Sequence, residues 1–115
     1  MELKQYQIVL VQLDPTVGPT IDPTIGREMK KTRPCVIISP DEMNKYLQTL
    51  VIAPMTSRSR PYPTRVPVKH NETPGWVVLD QIRTIDRQRV IKILGQLTDK
   101  EMNQVKSTIH ETYVA

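Results

Sequence analysis

A chain of 115 residues is expected to fold as one domain spanning residues 1–115, and its ten prolines against four glycines favour short, sharply ended elements over a helical bundle. Phenylalanine is absent and the aromatics are Trp76 and four tyrosines, so valine, isoleucine and leucine must fill the core. No apolar run approaches the roughly 18–20 residues that span a bilayer, Met1-Glu2-Leu3-Lys4 lacks the apolar core of a signal peptide, and the lone Cys35 excludes an intrachain disulfide; the expectation is a cytoplasmic chain with no membrane partner.

The first predicted strand is Tyr6 to Leu13, ended by Asp14-Pro15. A surface loop from Thr16 to Thr32 follows, and the segment repeats itself: Asp14-Pro15-Thr16-Val17-Gly18 recurs as Asp22-Pro23-Thr24-Ile25-Gly26. A second strand runs from Pro34 to Ser39, with Cys35 as a buried, inert thiol. Asp41 to Tyr46 reads as a turn or a single helical turn, and Gln48 to Ala53 as the third strand. Pro34 fixes its own φ and pushes Arg33 into an extended conformation, which sets that arginine at a strand mouth. The third strand also ends at a proline, Pro54, and hands over to Met55-Thr56-Ser57-Arg58. Arg33 and Thr56 are therefore expected to meet.

Thr64 to Lys69 alternates, with Pro67 marking an edge strand, and His70 to Gly75 reads as a turn. A strand opening at Trp76 is expected to continue to Ile85, Asp86 to Arg89 to turn, and Val90 to Gly95 to form the last strand. Thr98-Asp99-Lys100-Glu101 is a capping box, and Met102, Val105, Ile109 and Tyr113 share one face of the helix it opens. The architecture inferred is mainly β, a small barrel with a C-terminal helix.

Charge is unevenly spread. No acidic residue lies between Glu42 and Glu72, whereas Lys45, Arg58, Arg60, Arg65 and Lys69 all do. Lys31 and Arg33 extend that basic field, which suits RNA, DNA or an acidic protein segment. The histidines, His70 in a turn and His110 on the helix, are expected to be surface residues without a role, and no metal or cofactor site is expected. Trp76 is expected in a core or dimer contact.

One series of motifs runs through nearly the whole chain: Gly26-Arg27-Glu28, Lys31-Thr32-Arg33-Pro34 with its apolar strand, Met55-Thr56-Ser57, Leu79 to Asp86, and Leu94-Gly95-Gln96-Leu97-Thr98 before a helix. In order and spacing it resembles the MazF/PemK toxins of type II toxin–antitoxin systems. The resemblance implies an SH3-like barrel that forms a homodimer and acts as a metal-independent endoribonuclease on single-stranded RNA at short sequences. The implied products carry a 2′,3′-cyclic phosphate and a free 5′-hydroxyl. It also implies a cognate antitoxin with an acidic flexible tail, and contact with DNA only through the toxin–antitoxin complex. By position, the catalytic pair falls on Arg33 and Thr56, a catalytic or loop-positioning glutamate on Glu28, and a polar residue near RNA on Gln81. Lys31, Ser57, Arg58 and Arg60 complete the expected RNA-binding set. The duplicated loop segment is a departure from the family pattern.

The chemistry fits those residue types. Arginine offers a planar fork of donors to two phosphate oxygens, and a threonine hydroxyl adds another donor. Arginine keeps its proton, which leaves the general base unassigned. Two alternatives use the same barrel: a CcdB-like toxin that poisons gyrase, and a non-catalytic nucleic-acid-binding module. The first depends on a tryptophan-containing C-terminus, where this chain ends Thr112-Tyr113-Val114-Ala115.

Overall fold

The structure is a computed structural model that describes residues 1–13 and 32–114. The expectations for the Asp14–Gly26 repeat, Glu28 and Lys31 lie outside the described residues. The described residues form seven strands and two helices: β1 (Gln7–Gln12), β2 (Thr32–Ile37), α1 (Asp41–Tyr46), β3 (Thr49–Thr56), β4 (Arg65–His70), β5 (Thr73–Val78), β6 (Arg83–Asp86), β7 (Val90–Gln96) and α2 (Asp99–Ile109). Short 3₁₀ turns at Leu79–Gln81 and Arg87–Arg89 flank β6, and a π turn, His110–Val114, follows α2.

Every strand pairing is antiparallel, in the order β4-β5-β3-β2-β1-β7, with β6 also on β3. β3 is the hub. Its first half, Thr49 to Ile52, pairs with β6, and its last two residues, Met55 and Thr56, pair with β5. Register shifts in the β1–β7 pair, between Ile8 and Val9 and between Leu10 and Val11, bend the sheet as bulges do. The curl carries β7 back towards β4, where the His70 ring lies against Gly95. The result is the expected mainly β architecture, a curled antiparallel half-barrel with a C-terminal helix.

Alternation on the central strands feeds two cores. Ile8, Val36, Ala53, Met55, Val66, Val68, Val77 and Leu79 face Leu97 and Val105 of the α2 side. Val9, Val11, Cys35, Ile37, Leu50, Ile52, Ile85 and Val90 fill the other, with Leu3. This division explains one departure from the sequence reading. A continuous strand from Trp76 to Ile85 would put Val77 and Ile85 on the same face, since they are an even number of residues apart. They belong to different cores, and the turn at Leu79–Gln81 makes the change of face.

A second departure is the hairpin between β4 and β5. The turn is only Asn71-Glu72, both at positive φ (50° and 63°), the backbone of a type I′ hairpin. Thr73, Pro74 and Gly75 are already strand, paired with His70, Lys69 and Val68. Pro74 is tolerated because β3 pairs with β5 only at Trp76 and Val77.

The capping box forms as read: the Glu101 amide donates to Thr98 Oγ1 at 3.2 Å and the Thr98 amide to Glu101 Oε1 at 2.9 Å. Val105 is fully buried, and Met102 and Ile109 pack beside it. Tyr113 departs from that pattern: α2 ends at Ile109, and beyond the π turn the ring is 55% exposed while its hydroxyl donates to the Leu79 carbonyl at 2.6 Å. No helix among the described residues is long and apolar enough to cross a membrane.

Candidate nucleic-acid groove

The open end of the curled sheet carries a groove of about 520 Å³. Thr32, Arg33 and Pro34 from the start of β2, and Met55, Thr56 and Ser57 from the end of β3, form one side. The β4–β5 hairpin supplies the other through His70, Asn71, Thr73, Pro74 and Gly75. Antiparallel pairing of β2 with β3 is what brings the N-terminus of one strand to the C-terminus of the other, with Cys35 opposite Pro54. The strand ends that carry Arg33 and Thr56 therefore lie side by side, as expected, but neither proline bounds its strand: β2 begins before Pro34, at Thr32, and β3 continues past Pro54 to Thr56.

Arg33 is exposed, and its Nη1 makes a long 3.5 Å contact as donor to the Met55 carbonyl, one residue before Thr56. Thr56 is half-buried in an ST turn: its hydroxyl donates to the Arg58 carbonyl at 3.1 Å and accepts from the Arg58 amide at 3.2 Å. Gly75 permits the close approach of β5 to this end of β3, since a Cβ there would stand 3.3 Å from the Thr56 carbonyl oxygen. Ser57 lines the groove; Arg58 and Arg60 are exposed on the loop that leaves it, and Gln81 is exposed on the 3₁₀ turn, all three outside the lining.

That loop is tied down by an arginine fan. Arg65 donates from Nε and Nη2 to Asp80 and from Nη1 to Ser59 Oγ at 2.9 Å, and its guanidinium lies over the Tyr62 ring at 4.9 Å. Thr64 Oγ1 also donates to Asp80 at 2.9 Å. Of the arginines around it, Asp80 pairs with Arg65, at 3.3 Å, whose hydrogen bonding holds the Asp80 carboxyl below its ordinary pKa. Arg65 wins because Arg65 and Val78 are register partners on β4 and β5, which brings it next to the start of the 3₁₀ turn.

Behind the groove, Cys35 is buried and its thiol is pushed up to about 12 by burial, against the opposing pull of Arg33 and Arg83. This agrees with an inert thiol. His70 was expected in a turn at the surface; it is instead the last residue of β4. It is half-buried and lines the groove, because it continues the inward alternation of Val66 and Val68 on β4. That alternation was the signal that could have found it. Trp76, half-buried, is the register partner of Thr56.

A family model described as the PemK-like, MazF-like toxin of type II toxin-antitoxin systems matches residues 4–113. The chain belongs to this family. Among curated relatives it is similar to the Endoribonuclease MazF of Staphylococcus saprophyticus, 35% identical over 95 residues, covering 77% of this chain and 79% of that protein. Among solved structures it resembles a MazE–MazF complex from Deinococcus radiodurans, with a TM-score of 0.77, 23% identity and coverage of 96% and 95% of the two chains. An endoribonuclease in complex with its cognate antitoxin from a mycobacterial species gives a TM-score of 0.75 at 20% identity, covering 95% and 92%. At those identities the structural likeness speaks for the fold, and the family match carries the MazF/PemK assignment.

Proposed function

We propose that this MazF-like toxin is an endoribonuclease that cuts single-stranded RNA at short sequences without a metal ion, with Arg33 and Thr56 as its catalytic pair. The observation that carries the reading is that both side chains line one open groove at adjacent strand ends. In the reaction the 2′-oxygen bonds to phosphorus and the bond from phosphorus to the 5′-oxygen breaks. The proton lost by the 2′-hydroxyl is balanced by one gained at the 5′-oxygen. The products are a 2′,3′-cyclic phosphate and a 5′-hydroxyl. Arg33 neutralises charge on the phosphorane through its planar donors, and the Thr56 hydroxyl turns from the Arg58 carbonyl to donate to the same centre. Ser57, Arg58, Arg60 and Gln81, with Lys31, bind flanking RNA, and Glu28 acts as base or positions the loop. The working unit is a homodimer. A cognate antitoxin covers the groove with an acidic flexible tail, and DNA is met only through that complex.

The test is cleavage of a long single-stranded RNA in EDTA, with end-group analysis, beside a gyrase supercoiling assay. Arg33→Ala and Thr56→Ala are each expected to slow cleavage on the order of 10²–10³-fold, the loss typical of one transition-state donor. Both residues lie off the core, so melting should shift by no more than about 0.5 kcal/mol in stability. Near wild-type cleavage by Arg33→Ala, or restoration by Mg²⁺ of activity lost in EDTA, would overturn the mechanism. Inhibition of gyrase without RNA cleavage would favour the CcdB-like alternative.

A further inference from the structure

We propose that His70 is a substrate-contacting residue of this groove, and that its imidazolium makes RNA binding tighten as pH falls. The inference rests on the reading of the groove as the RNA site. His70 is the last residue of β4, placed where the α2-side core ends and the groove begins: Val66 and Val68 point into that core, and the imidazole continues the row. The ring is held in place. It fills space left by Gly95 on β7, where a Cβ would lie 2.7 Å from Cε1 and 3.2 Å from Nδ1. The Asn71 side-chain amide stands 3.3 Å from Nε2.

Chemistry singles out this ring among the described side chains of the groove. Arg33 is permanently charged, and Thr32, Thr56, Ser57, Asn71 and Thr73 are neutral throughout. Imidazole alone among these types changes charge between pH 5 and 8. The charged groups around it are Lys69 and Glu72 on its own hairpin, Arg33 across the groove, and Glu101 at the start of α2; β7 presents Gly95. Glu101 is committed to the Thr98 and Lys69 amides. Among the described residues the one ion pair is Arg65–Asp80, so no described carboxylate is paired with His70. A phosphate entering beside Arg33 is therefore met by a second cation whenever the ring is protonated, and linkage requires that bound RNA in turn favour the protonated ring.

The experiment uses a fluorescent, fully 2′-O-methylated oligonucleotide of randomised sequence, which cannot be cut because the nucleophile is blocked. Its Kd is measured at pH 5.5 and 8.0, at fixed ionic strength, for the wild type, His70→Gln and Gly95→Ala. Wild-type binding should tighten by about tenfold more than that of His70→Gln over this range, the change that accompanies a one-unit pKa shift. The two should agree at pH 8.0. At pH 5.5 the salt slope of log Kd should be shallower by about 0.7 in His70→Gln, one single-strand phosphate contact. Gly95→Ala, which keeps the imidazole but displaces it, should lose part of the pH response. A wild-type pH response in folded His70→Gln would overturn the proposal. If His70→Gln does not fold, the His70 Cε1 proton of the wild-type ring is titrated by NMR with and without the oligonucleotide, using His110→Gln for assignment. A midpoint that rises with oligonucleotide supports the proposal, and one that stays fixed refutes it. A wild type that neither binds the oligonucleotide nor cuts RNA would fell the groove reading and this proposal together. Arg33-dependent cleavage with an unchanged pH response in His70→Gln would fell the His70 proposal alone.

Discussion

Cys35 shows how far a residue's neighbours set its chemistry. It sits on β2 between Val9, Ile37 and Ile52 of one core, with no exposed surface, and burial pushes the thiol up to about 12. An ordinary cysteine ionises near 8.5. Above that pH the unfolded chain has lost a proton that the folded chain keeps, so stability is fully present below about pH 8.5 and declines as pH rises. The slope approaches about 1.4 kcal/mol per pH unit once the unfolded thiol is ionised. Chemical denaturation at pH 8, 9 and 9.5 should show that decline, and Cys35→Ala should flatten it while lowering stability at every pH through the small cavity it leaves. The window stops short of Tyr6, whose hydroxyl is also raised by burial and would add the same sign at higher pH. Thiol reagents should label Cys35 only on unfolding. Labelling of native protein at the rate of a free thiol would contradict the burial argument.

Between elements, Glu101 joins α2 to an edge strand. One carboxylate oxygen closes the capping box on the Thr98 amide, and the other accepts from the Lys69 amide of β4 at 2.8 Å. An outer strand that would otherwise show a free amide is thereby covered. Glu101→Ala should cost about 1–3 kcal/mol, as expected when charge-assisted hydrogen bonds to amides are lost. Thr98→Ala should cost about 1 kcal/mol, as a lost cap alone does. Equal losses in thermal melts of the two variants would mean that the Lys69 contact contributes nothing. The capping box was legible in the sequence because it is local, four residues from end to end. The bond to Lys69 was not, since nothing in the spacing of Lys69 and Glu101 says that the sheet curls back under α2. The same division holds for the strands. Pro34 and Pro54 pointed to the neighbourhood of Arg33 and Thr56, although neither proline ends its strand. The break at Leu79–Gln81 and the inward turn of His70 depend on which of two cores each side chain enters, which only the closed sheet decides.

At the scale of the whole molecule, the charge pattern and the fold combine to make one end of the half-barrel cationic. Among the described residues Arg65 alone of the arginines is in an ion pair, and Arg33, Arg58 and Arg60 lie on or beside the groove with no carboxylate partner. Arg65 is spent on Asp80, and in being spent it holds the loop that carries Arg58 and Arg60. Asp80→Asn should release that loop while barely altering stability, because an exposed pair contributes at most about 1 kcal/mol. RNA and an acidic antitoxin segment would both draw on the same unpaired guanidinium groups. The two should therefore compete, and both affinities should fall as salt rises, since screening shortens the reach of exposed charge to about 8 Å at physiological ionic strength. The check is displacement of the blocked oligonucleotide by an acidic peptide taken from the cognate antitoxin, followed at several salt concentrations. Arg58→Ala and Arg60→Ala should weaken both ligands together and lower the salt slope of each. Simultaneous binding of peptide and oligonucleotide, with neither weakening the other, would mean that the antitoxin blocks the toxin from a different face, and that the unpaired arginines serve RNA alone.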